Sequence, residues 1–175
     1  MSQQTTQGVR DVVHEVHQLN VDVGAPYEDF RRRYEEAVPP ADLSFADRPV
    51  GWDAVLRAAD ENAPHGFMIY WRMDAARLMR LAGDPGRCTQ YLMGNHTIAE
   101  RMFRHNPAVM LYAPLRALIY EDASGTAWFA IDQPSTKFAT FGDPAITPVG
   151  VELDHKLAGL LAHLDAPVPP ALLRG

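Results

Sequence analysis

Apolar residues near the end of the chain recur at helical spacing. Val149, Leu153, Leu157, Leu160, Leu161 and Leu164 share one side, which predicts a helix over 149–164. Tyr27, Phe30, Tyr34 and Ala37 repeat that stripe after Gly24-Ala25-Pro26, with Arg31, Arg32 and Arg33 on the solvated side. Pro26 suits an early helical position, and Glu28 and Asp29 suit the free amides of a first turn. The same period turns Trp52, Val55, Leu56 and Ala59 inward on a helix over 52–62. Between these helices Pro39-Pro40 is a stop, and the apolar content of the following loop (Leu43, Phe45, Pro49) predicts that it packs over the fold. A period of two marks the strands. Residues 12–23 end in alternating Leu19, Val21 and Val23, and 67–74 alternates Phe67, Ile69, Trp71, Met73 against Met68, Tyr70, Arg72, Asp74. A short helical piece over 75–82 stops at Gly83-Asp84-Pro85-Gly86, before a strand over 87–93.

The most regular stretch is 94–134. Asn95 or Thr97 caps a helix beginning near His96, and Thr97 with Glu100 fits a capping box. Ile98, Ala99, Met102 and Phe103 form its apolar side until Asn106-Pro107 stops it. From Ala108 alternation predicts one long strand. Val109, Leu111, Ala113, Leu115, Ala117 and Ile119 face the core, and Met110, Tyr112, Pro114, Arg116, Leu118 and Tyr120 face away. Asp122-Ala123-Ser124-Gly125 is a turn and 126–132 the return strand, completing a hairpin. Residues 135–148, with Phe138 and Phe141, read as loop.

The element order β-α-α-β-β-α-β-β-α lacks repeated parallel crossovers. It predicts an α+β fold: two layers, an antiparallel sheet of about five strands with helices packed on one face. A single domain over 11–165 is expected, with tails at 1–10, which reads as disordered, and at 166–175. The second sheet face then presents Tyr70, Arg72, Tyr112, Arg116 and Tyr120, with Met68, Met110 and Leu118 among them. Aromatic, methionine and arginine residues of this kind form interfaces and ligand floors. A dimer interface, a ligand cavity and a covering by loops 38–51 and 135–148 all remain open for this face.

The residues Gly94-Asn95, Pro107, Pro114, Tyr120-Glu121, Gly125 and Pro134, in that order and spacing, resemble the family called domain of unknown function 302. The likeness runs from about residue 12 to 164, with an insertion at 38–51. It implies a small α+β domain, often dimeric, of unsettled activity. This chain has His96 where the family usually has proline, and Met93, Gly94 and Leu115 around the places where many members carry cysteine.

Charge and composition narrow the functional classes. A net charge of −6 argues against nucleic acid as a partner, since such modules carry a basic stripe. The lone Cys88 forms no internal disulfide, no apolar run reaches membrane-spanning length, and the polar start has no signal-peptide core. A cytoplasmic protein with no membrane partner is expected. His14 and His17 point to opposite strand faces, His96 and His105 are out of phase, and His155 and His163 are on the order of 12 Å apart along a helix. No metal site is expected. His96, at a helix start where amides disfavour a cationic ring, is the histidine singled out for function. Three readings follow: a homodimeric binding module for a small apolar ligand; an enzyme with His96 and Glu121 as acid and base and Arg116 holding an anion; or a haem protein with His96 as axial ligand. The pocket is expected where the His96 helix meets the central strands, within reach of Tyr112 and Arg116.

Overall fold

The hairpin forms because Asp122 organises its turn. Its Oδ1 accepts from the amides of Ser124 (2.9 Å) and Thr126 (3.0 Å), and its Oδ2 accepts from Trp128 Nε1 (2.8 Å). Gly125 takes the positive φ of 85° that the turn requires. A bond from Ser124 Oγ to Oδ1 (2.6 Å), foremost, and then those from Trp128 and the two amides hold the Asp122 carboxyl down at about 2.

The structure is a computed structural model describing residues 2–6, 8–47 and 50–174. Its elements are β1 (Ser2–Thr6), β2 (Val9–Val13), β3 (Gln18–Asp22), α1 (Tyr27–Ala37), α2 (Trp52–Asn62), β4 (Met68–Asp74), α3 (Ala75–Met79), β5 (Cys88–Gly94), α4 (His96–Phe103), β6 (Leu115–Glu121), β7 (Ala127–Asp132), α5 (Pro134–Phe138) and α6 (Thr147–His163). Strands β3 to β7 make one antiparallel sheet in the order β3-β7-β6-β5-β4. The fold is α+β. One sheet face buries Tyr91, Met93, Ala117, Ile119, Phe129 and Ile131 in a core shared with the α1 stripe Tyr27, Phe30, Tyr34, Ala37 and the α6 stripe Val149, Leu153, Leu157, Leu160, Leu161. Gly150 lets α6 approach α5, since a Cβ there would sit 3.1 Å from Phe138 Cβ and Ser135 Cα.

The other sheet face is lined by Trp71, Leu92, Arg116, Leu118, Tyr120 and Trp128, all half-buried or exposed. A β-bulge makes this face differ from the one read from the sequence. Ile69 pairs with Met93 and Trp71 with Leu92, leaving Tyr70 as the extra residue. A bulge inverts the alternation beyond it, so Arg72 joins Tyr91 on the helix side while Trp71 and Met73 turn to the open face.

Other expectations are corrected by short-range chemistry. Residues 107–111 form a 3-10 turn, and the strand starts only at Leu115. Asn106 caps that turn, its side chain accepting from Ala108 N at 3.0 Å, and Pro107 begins it. In the same way Pro134 starts α5, so 134–141 is helical where a loop was expected. Asn95, rather than Thr97, caps α4. Trp52 and Leu56 are 44% and 41% exposed because α2 packs chiefly through Ala59, with Ala63 just after its end, onto Met68. That contact also buries Met68, which was expected on the second face. Leu43 is exposed, although the start of its loop does pair with the sheet: Ile69 N donates to Pro39 O and Ala41 N to Ile69 O, both at 2.9 Å. Pro49 lies outside the described residues. Within the start expected to be disordered, β1 pairs antiparallel with β2, and the strand expected over 12–23 is divided into the end of β2 and β3. At the other end the segment read as a tail is anchored to the core through Ala166 and the fully buried Leu172.

Candidate functional site

The bulge places Tyr70 against the first residue of α4. His96 N–H donates to the Tyr70 hydroxyl at 2.8 Å, and that hydroxyl lies 2.8 Å from His96 Nδ1. A phenol has one proton to give. Donating it to Nδ1 satisfies both groups, whereas a proton on Nδ1 would leave the hydroxyl hydrogen with no acceptor among the described residues. The network therefore assigns the imidazole proton to Nε2. Burial lowers the His96 pKa and raises that of Tyr70 to about 12, its bond from the His96 amide opposing the rise. The pair is uncharged at neutral pH. Asn95 fixes the corner, its Oδ1 accepting from Thr97 N (2.9 Å) and Thr97 Oγ1 (2.7 Å).

Tyr70 and His96 form the polar end of a cavity of about 240 Å³ whose walls include Met102, Phe103, Met110, Pro114 and Phe138. Glu100, also on the wall, is tied to Arg104. On its other side His96 borders a cleft of about 540 Å³ under the 40–45 segment, lined by Phe45, Asn62 and Met68. The cavity lies below the roughly 300–1,000 Å³ of pockets that enclose drug-sized ligands, too small for a haem.

The remaining sequence candidates lie elsewhere. Tyr112 packs edge-on to His14, Phe138 and Phe141, with Lys137 Nζ 5.1 Å from its ring centre, and does not line the cavity. Arg116 is exposed on the open sheet face, where Tyr120 sits across from Cys88 and Trp128. Arg72 pairs with Glu35 at 2.7 Å; Glu35 also accepts from Arg31 (2.9 Å) and Tyr91 Oη (2.8 Å). Glu121 lies 3.6 Å from Arg87 at the far end of the β5-β6 pair, on the order of 20 Å from His96 by strand rise. His96 and Glu121 thus cannot act together as acid and base. Cys88 is half-buried, and burial followed by the charge of Asp74 raises its pKa, keeping a thiol rather than a thiolate.

His14 and His17 fall in the connection between β2 and β3 rather than on a strand. His163 stacks with His65, ring centres 4.0 Å apart, a pairing that sequence spacing could not reveal. Among the described residues no cluster of three or more His, Cys, Asp or Glu is placed to hold a metal. No described helix is long and apolar enough to cross a membrane. The sequence reading also missed Phe138 and Met102 as cavity walls. Phe138 had been assigned to a loop, and Met102 to undifferentiated core.

A family profile described as Domain of unknown function DUF302 matches residues 50–164, well over half of the chain. The chain belongs to DUF302. The matched span takes in α2, β4 to β7 and α6, and with them the whole Tyr70–His96 corner. An uncharacterized conserved DUF302 protein from Bacillus stearothermophilus, known from its crystal structure, shares the fold with a TM-score of 0.61 at 18% identity. That alignment covers 84% of this chain and 97% of the other, so the DUF302 fold extends beyond the profile match. No curated protein matches the chain.

Proposed function

We propose that this DUF302 protein binds a small, largely apolar molecule in the cavity beside His96. The observation that carries this reading is the cavity's composition: walls that are mostly apolar, with the uncharged Tyr70–His96 pair beside the capping Asn95, and with the Glu100 carboxylate held by Arg104. Binding sites of this kind gain affinity from apolar burial and orientation from a few polar groups. With Nδ1 occupied by Tyr70, His96 offers Nε2–H as a donor, which suits a ligand carrying a carbonyl, ether or similar acceptor. The same proton placement disfavours His96 as an axial haem ligand, which would need Nε2 free. We further propose that two copies associate through the open sheet face, where Trp71 and Met73 are each 42% exposed beside Leu92 and Leu118, because apolar patches of that kind mark contact surfaces.

The binding proposal is tested with N-phenyl-1-naphthylamine, a neutral apolar dye whose fluorescence rises on leaving water. Wild-type protein should bind it saturably, and Ala99→Trp, which fills the cavity from the α4 wall, should abolish that binding while remaining folded. Equal dye binding by the two proteins would refute the assignment.

A further inference from the structure

A second site stands at the opposite end of the sheet. Asp74 pairs with Thr89 at that end of β4-β5 and Met68 with Gly94 at the other, so the two places are separated by on the order of 20 Å of strand. A cleft of about 530 Å³ opens there, and five arginines line it: Arg31, Arg72, Arg77, Arg80 and Arg87. They come from α1, β4, α3, the turn after α3 and the approach to β5. Five of the chain's 16 lysines and arginines therefore converge on one cleft, although the protein carries a net charge of −6.

Carboxylates orient most of these arginines without using up their donors. Arg31 uses all three of its nitrogens: Nε and one terminal nitrogen donate to Glu28, and the other terminal nitrogen donates to Glu35. Arg72 uses one terminal nitrogen on Glu35 and Arg80 one on Asp74. Arg87 approaches Glu121 only to 3.6 Å, outside hydrogen-bonding distance. The Arg77 side chain has no partner among the described residues. Each guanidinium carries five N–H donors in a planar fork, so Arg72, Arg77, Arg80 and Arg87 retain unused donors around one cavity. Crowding five cations is unfavourable unless anions compensate them; the four nearby carboxylates Glu28, Glu35, Asp74 and Glu121 leave one positive charge over.

We propose that this cleft binds a small molecule bearing a phosphate or pyrophosphate group. Phosphate oxygens match the guanidinium fork bidentately, and the cleft falls within the roughly 300–1,000 Å³ of ligand pockets. A nucleic acid would need basic surface beyond the cleft to track its backbone, which a chain of net −6 does not supply.

Isothermal titration with sodium pyrophosphate in metal-free, low-salt buffer tests the proposal. Wild type should bind one equivalent, and binding should weaken as salt is raised. Arg77→Ala, an exposed change that breaks no bond, should weaken it roughly tenfold. Arg72→Ala should do the same, since Glu35 keeps Arg31 and Tyr91 as partners. Arg57→Ala, on α2 away from the cleft, should leave it unchanged. No heat at millimolar pyrophosphate overturns the proposal. So does unchanged affinity in both cleft variants, or an equal loss in Arg57→Ala, which would show diffuse charge attraction only.

Discussion

Replacing Tyr70 by phenylalanine removes one oxygen and keeps the ring, so its effect can be worked from two contacts. The hydroxyl bonds His96 N–H and Nδ1, each at 2.8 Å. A neutral hydrogen bond contributes about 0.5–1.5 kcal/mol net, so losing two should cost about 1–3 kcal/mol of stability. The upper part of that range applies if both freed groups stay out of water. The ring still fills its place, so no cavity penalty of the large-to-small kind is added. Urea unfolding followed by tryptophan fluorescence measures the loss. Long-range nitrogen-proton NMR of His96 reads the tautomer directly, with the proton on Nε2 expected in the wild type and a mixture in the variant. A stability loss below about 0.5 kcal/mol, or a wild-type ring protonated on Nδ1 alone, would refute the reasoning about this corner.

Ile119 is fully buried on the core face of β6, so Ile119→Asp should cost more than about 5 kcal/mol and prevent folding; a cooperative melt of the variant would show the strand's faces reversed. His96 and His65 both have pKa values lowered by burial, so the unfolded chain binds more protons near its own pKa of about 6.5 and stability should fall as pH drops from about 7 toward 5. Thermal melts that held constant or rose across that interval would contradict this sign. The proposed dimer predicts a two-chain species in sedimentation equilibrium at micromolar concentration, and a folded 19.5 kDa monomer for Trp71→Lys. A wild type that sediments only as the 19.5 kDa species would remove the dimer.

Long periodic segments were legible without coordinates. The stripe Tyr27, Phe30, Tyr34, Ala37 and that of α6 follow helical spacing over three or more turns, and burial of one face leaves little freedom in how they sit. The hairpin was legible because Asp122, Ser124 and Gly125 carry specific turn chemistry. Short segments were not. Met110 and Leu111 satisfy an alternating template for a few residues, yet a capped Asn-Pro turn of the same length competes with it and prevails. The bulge at Tyr70 has no side-chain signature, and one unseen extra residue moved Arg72 to the helix side of the sheet. The site suffered the same loss. His96 and Tyr70 were both singled out, but their contact joins residues 26 apart in sequence, and only the bulge brings them together. Tyr112, Arg116 and Glu121 were grouped with them by strand parity and proximity in sequence, neither of which specifies where along a sheet a residue lies.

Methionine-methyl NMR tests the binding site most directly, because the chain has seven methionines and several stand in distinct surroundings. On titration with N-phenyl-1-naphthylamine the methyls of Met102 and Met110, on the cavity wall, should shift together and saturably. Those of Met73, on the open sheet face, and Met79, on α3, should not move. Movement of Met73 or Met79 with Met102 and Met110 unchanged would contradict the account and place the apolar site elsewhere.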